Sequence, residues 1–97
     1  MSEVRAQVQR ELGRVVDRLG AMPLTRAQGC EAVVHSTAVT IVDLTGEHTS
    51  TDLPHLQAHA LGSLLAVVGN DYLKTPENDE RDQKVVDLLI ALRRELP

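Results

Sequence analysis

Apolar residues recur along the first 22 residues at the spacing of an α-helix. They are Val4, Val8, Leu12, Val15, Leu19 and Met22, at intervals of three or four residues. Residues spaced in this way lie on one side of a helix, so the pattern predicts an amphipathic helix that buries that side. The helix is expected to end in the stretch "GAMPL", because a residue that precedes a proline is disfavoured in the α conformation and Gly20 loosens the last turn.

The segment from residue 24 to residue 46 carries signals for both a helix and a strand. Eight of the thirteen residues from 33 to 45 are β-branched, which favours a strand. Thirteen residues exceed the usual strand length, however, and a helical period continues through Ala27, Cys30, Val34, Ala38, Ile41 and Thr45. Thr25 and Gln28 have the spacing of a capping box, and Gly46 stands where a helix-terminating glycine belongs. We therefore predict one helix from Thr25 to Thr45.

Two further helices are predicted in the second half of the chain. The third helix begins at Thr51 or Asp52, has Pro54 in its first turn, and ends at Gly69 or at Leu73. The fourth begins near Thr75 or Asn78, where acidic residues suit the positive end of the helix dipole, and has arginines near its end. The buried stripe of the fourth helix is formed by Val85, Leu88 or Leu89, Leu92 and Leu96. The sequence therefore predicts an all-α, four-helix bundle-like structure, with residues 1–97 as a single domain.

The composition limits the class of protein. With one cysteine, Cys30, the chain can form no internal disulfide, and it contains neither a transmembrane span nor a signal-peptide core. We therefore expect a cytoplasmic protein that does not contact membranes. The excess of arginine over lysine, eight to two, hints at a GC-rich and hence bacterial genome. The net charge of −4 and the lack of Phe and Trp make nucleic-acid binding unlikely, although Arg10, Arg14 and Arg18 form a row on the first helix.

The central part of the chain contains no basic residue. Residues 27–73 carry no Lys or Arg and five acidic residues. Long basic side chains usually coat solvent-facing helices, so this stretch is expected to be sheltered by other helices or by a partner chain. One face of the third helix consists of His55, His59, Gly62, Ala66 and Gly69, which bear no charge and allow close backbone approach. We predict that the protein pairs as a homodimer through this face.

Histidines raise the possibility of a metal site. His55 and His59 lie one helical turn apart, and Glu31 and His35 form a second such pair on the preceding helix. Side chains four residues apart can reach one ion, so these four residues are candidate ligands for a divalent transition metal such as zinc. The spacing has low specificity, because scattered histidines often form such pairs by chance. Exposed or interface histidines, with no cofactor, are the favoured interpretation.

No motif for catalysis occurs in the chain. Phosphate-binding loops, nucleophile elbows and cysteine-rich metal patterns are absent from the sequence, and Cys30 on an apolar stripe is predicted to be a buried structural thiol. We therefore do not expect an enzyme. The leading hypothesis is a non-catalytic helical protein–protein interaction or regulatory module, whose expected partners are a second copy of the chain and another protein. The alternative is a small metal- or ligand-binding helical bundle that uses the histidine cluster.

Overall fold

The computed structural model describes residues 2–45 and 60–97, which form five α-helices and no strand. In chain order the helices are α1 (Glu3–Ala21), α2 (Leu24–Gln28), α3 (Glu31–Thr45), α4 (Leu61–Leu73) and α5 (Asp79–Glu95). The predicted all-α class is confirmed for this part of the chain. The helix interpretation of residues 33–45 is also confirmed, so burial and length outweigh the β-branched composition there.

Helix α1 has the predicted stripe and boundaries. Its N-cap is Ser2, whose hydroxyl accepts a hydrogen bond from the Arg5 amide, and Met22 ends it in an extended conformation. The middle of the apolar stripe, from Val8 to Leu19, is buried, while Val4 and Met22 are half-buried at its two ends.

The predicted second helix is in fact two helices. Residues 29 and 30 form a turn between α2 and α3, and Gly29 is the C-cap of α2. The capping-box prediction at Thr25 is wrong, because the N-cap of α2 is Pro23 and makes no side-chain hydrogen bond. A glycine inside a helix weakens it, which explains why the chain bends here. Cys30 is buried as predicted, and its Sγ lies 3.4 Å from the carbonyl oxygen of Arg26.

The observed bounds of α4 and α5 decide where the third predicted helix ends and where the fourth begins. Helix α4 continues past Gly69 to Leu73, and α5 begins after Asn78, whose side chain accepts a hydrogen bond from the Arg81 amide. Of the two alternative stripe positions of the fourth predicted helix, Leu89 is buried and Leu88 is half-buried; on α4, Val68 is buried and Val67 is exposed. The predicted start of the third helix at residues 51–54 lies outside the described residues.

The four longer helices pack as a bundle around one aliphatic core. Helix α1 packs against α4 and α5, and α3 packs against the same two helices from the other side. Helices α1 and α4 are antiparallel, because Gly69 lies against Leu12 whereas Gly62 lies near Val16 and Leu19. No helix among the described residues is long and apolar enough to cross a membrane.

Candidate interaction surface

A buried ionic cluster joins the start of α1 to the start of α5. The Arg5 Nε and Nη2 atoms each donate to a different carboxylate oxygen of Asp82, at 3.0 Å. The guanidinium also donates to the carbonyl oxygens of Leu73, Thr75 and Pro76, at 3.0 to 3.1 Å. Arg5 is 3% exposed and Asp82 is fully buried. Because a guanidinium has five donor hydrogens and five bonds are made, this cluster has no donor left on Arg5 for a ligand.

Tyr72 completes the cluster. Its hydroxyl donates to Asp82, and the guanidinium carbons of Arg5 and Arg81 lie 5.4 and 5.5 Å from the centre of its ring, within cation–π distance. Burial by itself would raise the pKa of Asp82, but the hydrogen bonds from Arg5 and Tyr72 and the charge of Arg5 lower that pKa below its ordinary value. Burial, together with the hydrogen bond to Asp82, raises the pKa of Tyr72. Carboxylates, phenols and guanidinium groups often serve as catalytic groups. In this cluster the three groups interact with one another.

A second ionic contact joins α1 to α5. Glu11, which is 8% exposed, accepts hydrogen bonds from Arg14 at 3.0 Å and from Arg93 at 3.2 Å. Arg18 donates to the backbone carbonyls of Leu96 and Pro97. Two of the three arginines in the row on α1 are therefore engaged within the chain, and Arg10 remains exposed without such a contact among the described residues. This arrangement gives no support to a nucleic-acid-binding row.

The small residues predicted to form the dimer interface are partly used inside the chain. A Cβ atom added to Gly69 would lie 2.5 Å from Leu12, so that glycine is needed for the packing of α4 on α1. A Cβ on Gly62 would lie 3.5 Å from the carbonyl oxygen of Val16, and Ala66 is half-buried. These small residues therefore let α1 of the same chain pack closely on α4, whereas the prediction had assigned this close packing to a second copy. Any contact with a second copy on this side must use the residues that stay exposed beside these glycines.

An open groove lies beside Gly62, where the end of α1 and helix α2 meet the start of α4. Its volume is about 370 Å³, and its walls are Val16, Leu19, Gly20, Met22, Leu24, Ala27, Gly62 and Ser63. None of these lining residues is ionisable, so the groove suits an apolar group more than an ion. Leu24, at its edge, is 55% exposed.

Away from the groove the exposed surface of the two helices is mixed, because Asp17 lies between Gly13 and Gly20 on α1 and Lys74 lies one turn beyond Asn70 at the end of α4. One turn beyond Ser63, Val67 is 60% exposed, and Asn70 follows it on the same side of α4. Two turns before Gly20, Gly13 is exposed, and a Cβ added at either glycine would meet no described atom within 4 Å. We call Gly13, Gly20, Ser63 and Val67, together with the groove, the α1/α4 face. Isolated exposed apolar residues are ordinary, but a groove with exposed apolar side chains beside them is typical of contact surfaces.

The structure also shows that the central part of the chain is not sheltered throughout. Side chains on the outer sides of α3 and α4 reach solvent, and they are short: Ala32, Ser36, Thr40, Ser63 and Val67. Other helices of the described chain therefore do not cover these positions, whereas shelter by a partner chain stays a prediction. Short side chains lose little conformational entropy when they are fixed at an interface, which gives this surface a property favourable to binding.

The predicted metal ligands are only partly described. His55 and His59, which were also assigned to the dimer interface, lie outside the described residues. Glu31 and His35 lie one turn apart on α3, as their spacing of four residues implies, and both are half-buried. Within residues 2–45 and 60–97, no three metal-ligating side chains come together. The histidine site therefore remains a prediction.

No protein-family model, curated protein or solved structure matches the chain. The residues and geometry of the chain itself are thus the basis for a proposal about its function.

Proposed function

We propose that this protein is a non-catalytic interaction module, and that it works as a homodimer joined through the α1/α4 face. The observation that carries the proposal is the open groove beside Gly62, whose lining residues are not ionisable, together with the exposed Val67 one turn along α4. The apolar side chains exposed in this groove gain free energy when a second surface excludes water from them.

The charged groups of the core support a structural rather than a catalytic use. Each buried charged residue in the described part of the chain, namely Arg5, Glu11 and Asp82, is paired with partners from the same chain. Buried charges that are paired and hydrogen-bonded stabilise a fold, whereas catalytic groups need an open position next to a substrate. Contact with another macromolecule is then the function that the exposed surface favours.

A second copy is the occupant that the charges favour. The exposed α4 positions Ser63, Val67 and Asn70 are uncharged, so the middle of the α4 half of this face brings no like charges together. The α1 side of the face is bordered by Arg10 and Asp17, and the α4 side by Asp71 and Lys74, so each edge carries one charge of each sign. An interface in which each copy offers the same surface requires this kind of self-complementarity.

The expected dimer is small and reversible. Two neighbouring helices overlap over about 20 Å and span about 20 Å in width, which gives a footprint of roughly 400 Å² per copy. A standard stable complex uses about 800 Å² per partner, so we expect dissociation in the micromolar range. Sedimentation equilibrium from about 5 to 500 µM should show the mass rising from 10.6 kDa toward twice that value. A mass that stays at 10.6 kDa throughout this range would refute the proposal.

A matched pair of variants tests the surface. Ser63→Arg places a long charged side chain in the groove, and Ala91→Arg places the same side chain on the exposed side of α5. Ser63→Arg should weaken the dimer at least tenfold, since a buried unpaired charge opposes association, and Ala91→Arg should leave the dimer unchanged. Equal effects of the two variants would exclude the α1/α4 face. Circular dichroism should show that both variants keep the helical content of the wild type.

A further inference from the structure

We infer that Met22 is a modification site, at which a peroxide oxidises the thioether to a sulfoxide before it reaches the thiol of Cys30. These residues hold the two sulfur atoms of the described part of the chain, and Met22 Sδ lies 4.0 Å from Cys30 Sγ. Oxidation of a sulfur depends on how far the oxidant can reach it, as well as on its intrinsic reactivity. The structure gives these two neighbouring sulfurs different access.

Met22 lies at the edge of the core because α1 ends there. Its amide donates to the carbonyl oxygen of Leu19, and its extended backbone leads into Pro23. The side chain is half-buried: it packs against the core, and it also forms part of the wall of the open groove. The groove has a volume of about 370 Å³, far larger than a peroxide molecule. A peroxide can therefore reach the thioether without any opening of the fold.

Cys30, in contrast, is enclosed by the core. It is 4% exposed, and it is not among the described residues that line the groove. Its thiol donates to the carbonyl oxygen of Arg26, with 3.4 Å between the sulfur and the oxygen, and it contacts Met22 beside that bond. An oxidant reaches this thiol only when the turn between α2 and α3 opens locally, which makes the reaction slower.

The reaction at Met22 needs no group other than the peroxide. The sulfur attacks one oxygen of hydrogen peroxide, the O–O bond breaks as the S–O bond forms, and the other oxygen leaves as water with both protons. The sulfur loses an electron pair, which reduces the peroxide. The product is a polar sulfoxide, and thiol-dependent sulfoxide reductases restore the thioether, so the modification is reversible.

A sulfoxide at this position is expected to regulate self-association, and this consequence rests on the proposed homodimer. The groove has no ionisable residue in its wall, and the sulfoxide adds a strong hydrogen-bond acceptor to it. Covering the groove with a second copy then removes water from that oxygen, which opposes association. Oxidised chains should therefore pair more weakly than reduced chains.

Peptide mapping after treatment with hydrogen peroxide tests the modification site. Trypsin places Met22 in the peptide of residues 19–26 and Cys30 in that of residues 27–74, so mass spectrometry follows each sulfur separately. In the folded protein Met22 should gain oxygen before Cys30 does. Unfolding in urea should speed the reaction of Cys30 at least about tenfold and that of Met22 less than about threefold, because only the thiol is shielded by the fold. Oxidation of Cys30 before Met22 in the folded protein would refute the site.

Sedimentation equilibrium of treated and untreated protein tests the regulation. Oxidation should raise the dissociation constant of the wild-type dimer about tenfold. The same treatment should shift Cys30→Ala as it shifts the wild type, whereas it should leave Met22→Leu at that variant's own untreated value. A shift that persists in Met22→Leu would overturn the assignment to Met22. An unchanged affinity of oxidised wild type would exclude the regulation and leave the homodimer standing. If the untreated wild type is monomeric at every concentration, the homodimer and its regulation are both wrong, and the peptide mapping still decides the modification site.

Discussion

Replacing Asp82 with alanine is expected to remove a large part of the stability of this fold. The carboxylate accepts two hydrogen bonds from Arg5 and one from Tyr72, and it is fully buried. Asp82→Ala leaves the guanidinium of Arg5 buried without a counter-charge, although three backbone carbonyls still accept from it. The variant therefore tests whether the cluster holds α1, α5 and the loop between α4 and α5 together.

The size of the effect follows from the geometry of the pair. Removing one partner of a buried, hydrogen-bonded ion pair typically destabilises a protein by about 3–5 kcal/mol, because the remaining charge is uncompensated. A domain of this size has a total stability of about 5–15 kcal/mol. The loss should lower the melting temperature by more than about 12 °C, since about 1 kcal/mol shifts the midpoint of a small domain by about 4–8 °C.

Urea denaturation followed by circular dichroism measures this loss directly. Asp87→Ala is the matched control on the same helix, because Asp87 is exposed and accepts only a surface hydrogen bond from Gln83. That control should change the free energy of unfolding by less than about 0.5 kcal/mol. If Asp82→Ala costs no more than Asp87→Ala, the buried cluster does not stabilise the fold, and the reasoning from its hydrogen bonds is refuted.

Further outcomes are expected from pH, packing and metal titration. Because the folded-state pKa of Asp82 lies below its ordinary value, the ionised carboxylate stabilises the fold at neutral pH, and this stabilisation is lost as the pH falls below about 4. In urea titrations between about pH 5 and about pH 2, Asp82→Asn should therefore lose less free energy of unfolding than the wild type. Gly69→Ala should cost about 1–3 kcal/mol by overpacking, whereas Gly13→Ala should stabilise the monomer by up to about 1 kcal/mol in thermal melts at low concentration. Calorimetric titration with Zn²⁺ should give no binding heat if His55 and His59 are not ligands, and heat that disappears in His59→Ala would instead establish the metal site.

The helical period was sufficient to predict most of the fold. The stripes of α1 and α5 are read directly from apolar residues spaced three and four apart, and the Asn78 cap follows from its side-chain chemistry. The break at Gly29 was missed because the apolar period continues across it from Ala27 to Cys30. Local propensity at one glycine overrode the pattern of the surrounding residues.

The ionic cluster was missed, although the sequence holds a signal for it. Arg5 stands three residues before Val8 on the apolar stripe of α1, and Asp82 stands three residues before Val85 on the stripe of α5. A charged residue that lies on the buried side of a helix needs a partner of opposite charge, and Arg5 and Asp82 have opposite charges. Arg5 and Asp82 are 77 residues apart in the sequence, so their pairing depends on which helices pack against each other. The periodicity within one helix does not predict which other helix it packs against.

The two open glycines of α1 connect the fold to the proposed function. A glycine inside a helix is less favourable than an alanine by about 1 kcal/mol, so Gly13 and Gly20 together weaken α1 by up to about 2 kcal/mol. At Gly69 a similar loss is offset within the chain, because the close packing of Leu12 leaves no room for a side chain. Nothing described within the chain offsets the loss at Gly13. The homodimer that we propose would offset it, because Gly13 lies on the proposed interface, where a side chain of the second copy has room to pack.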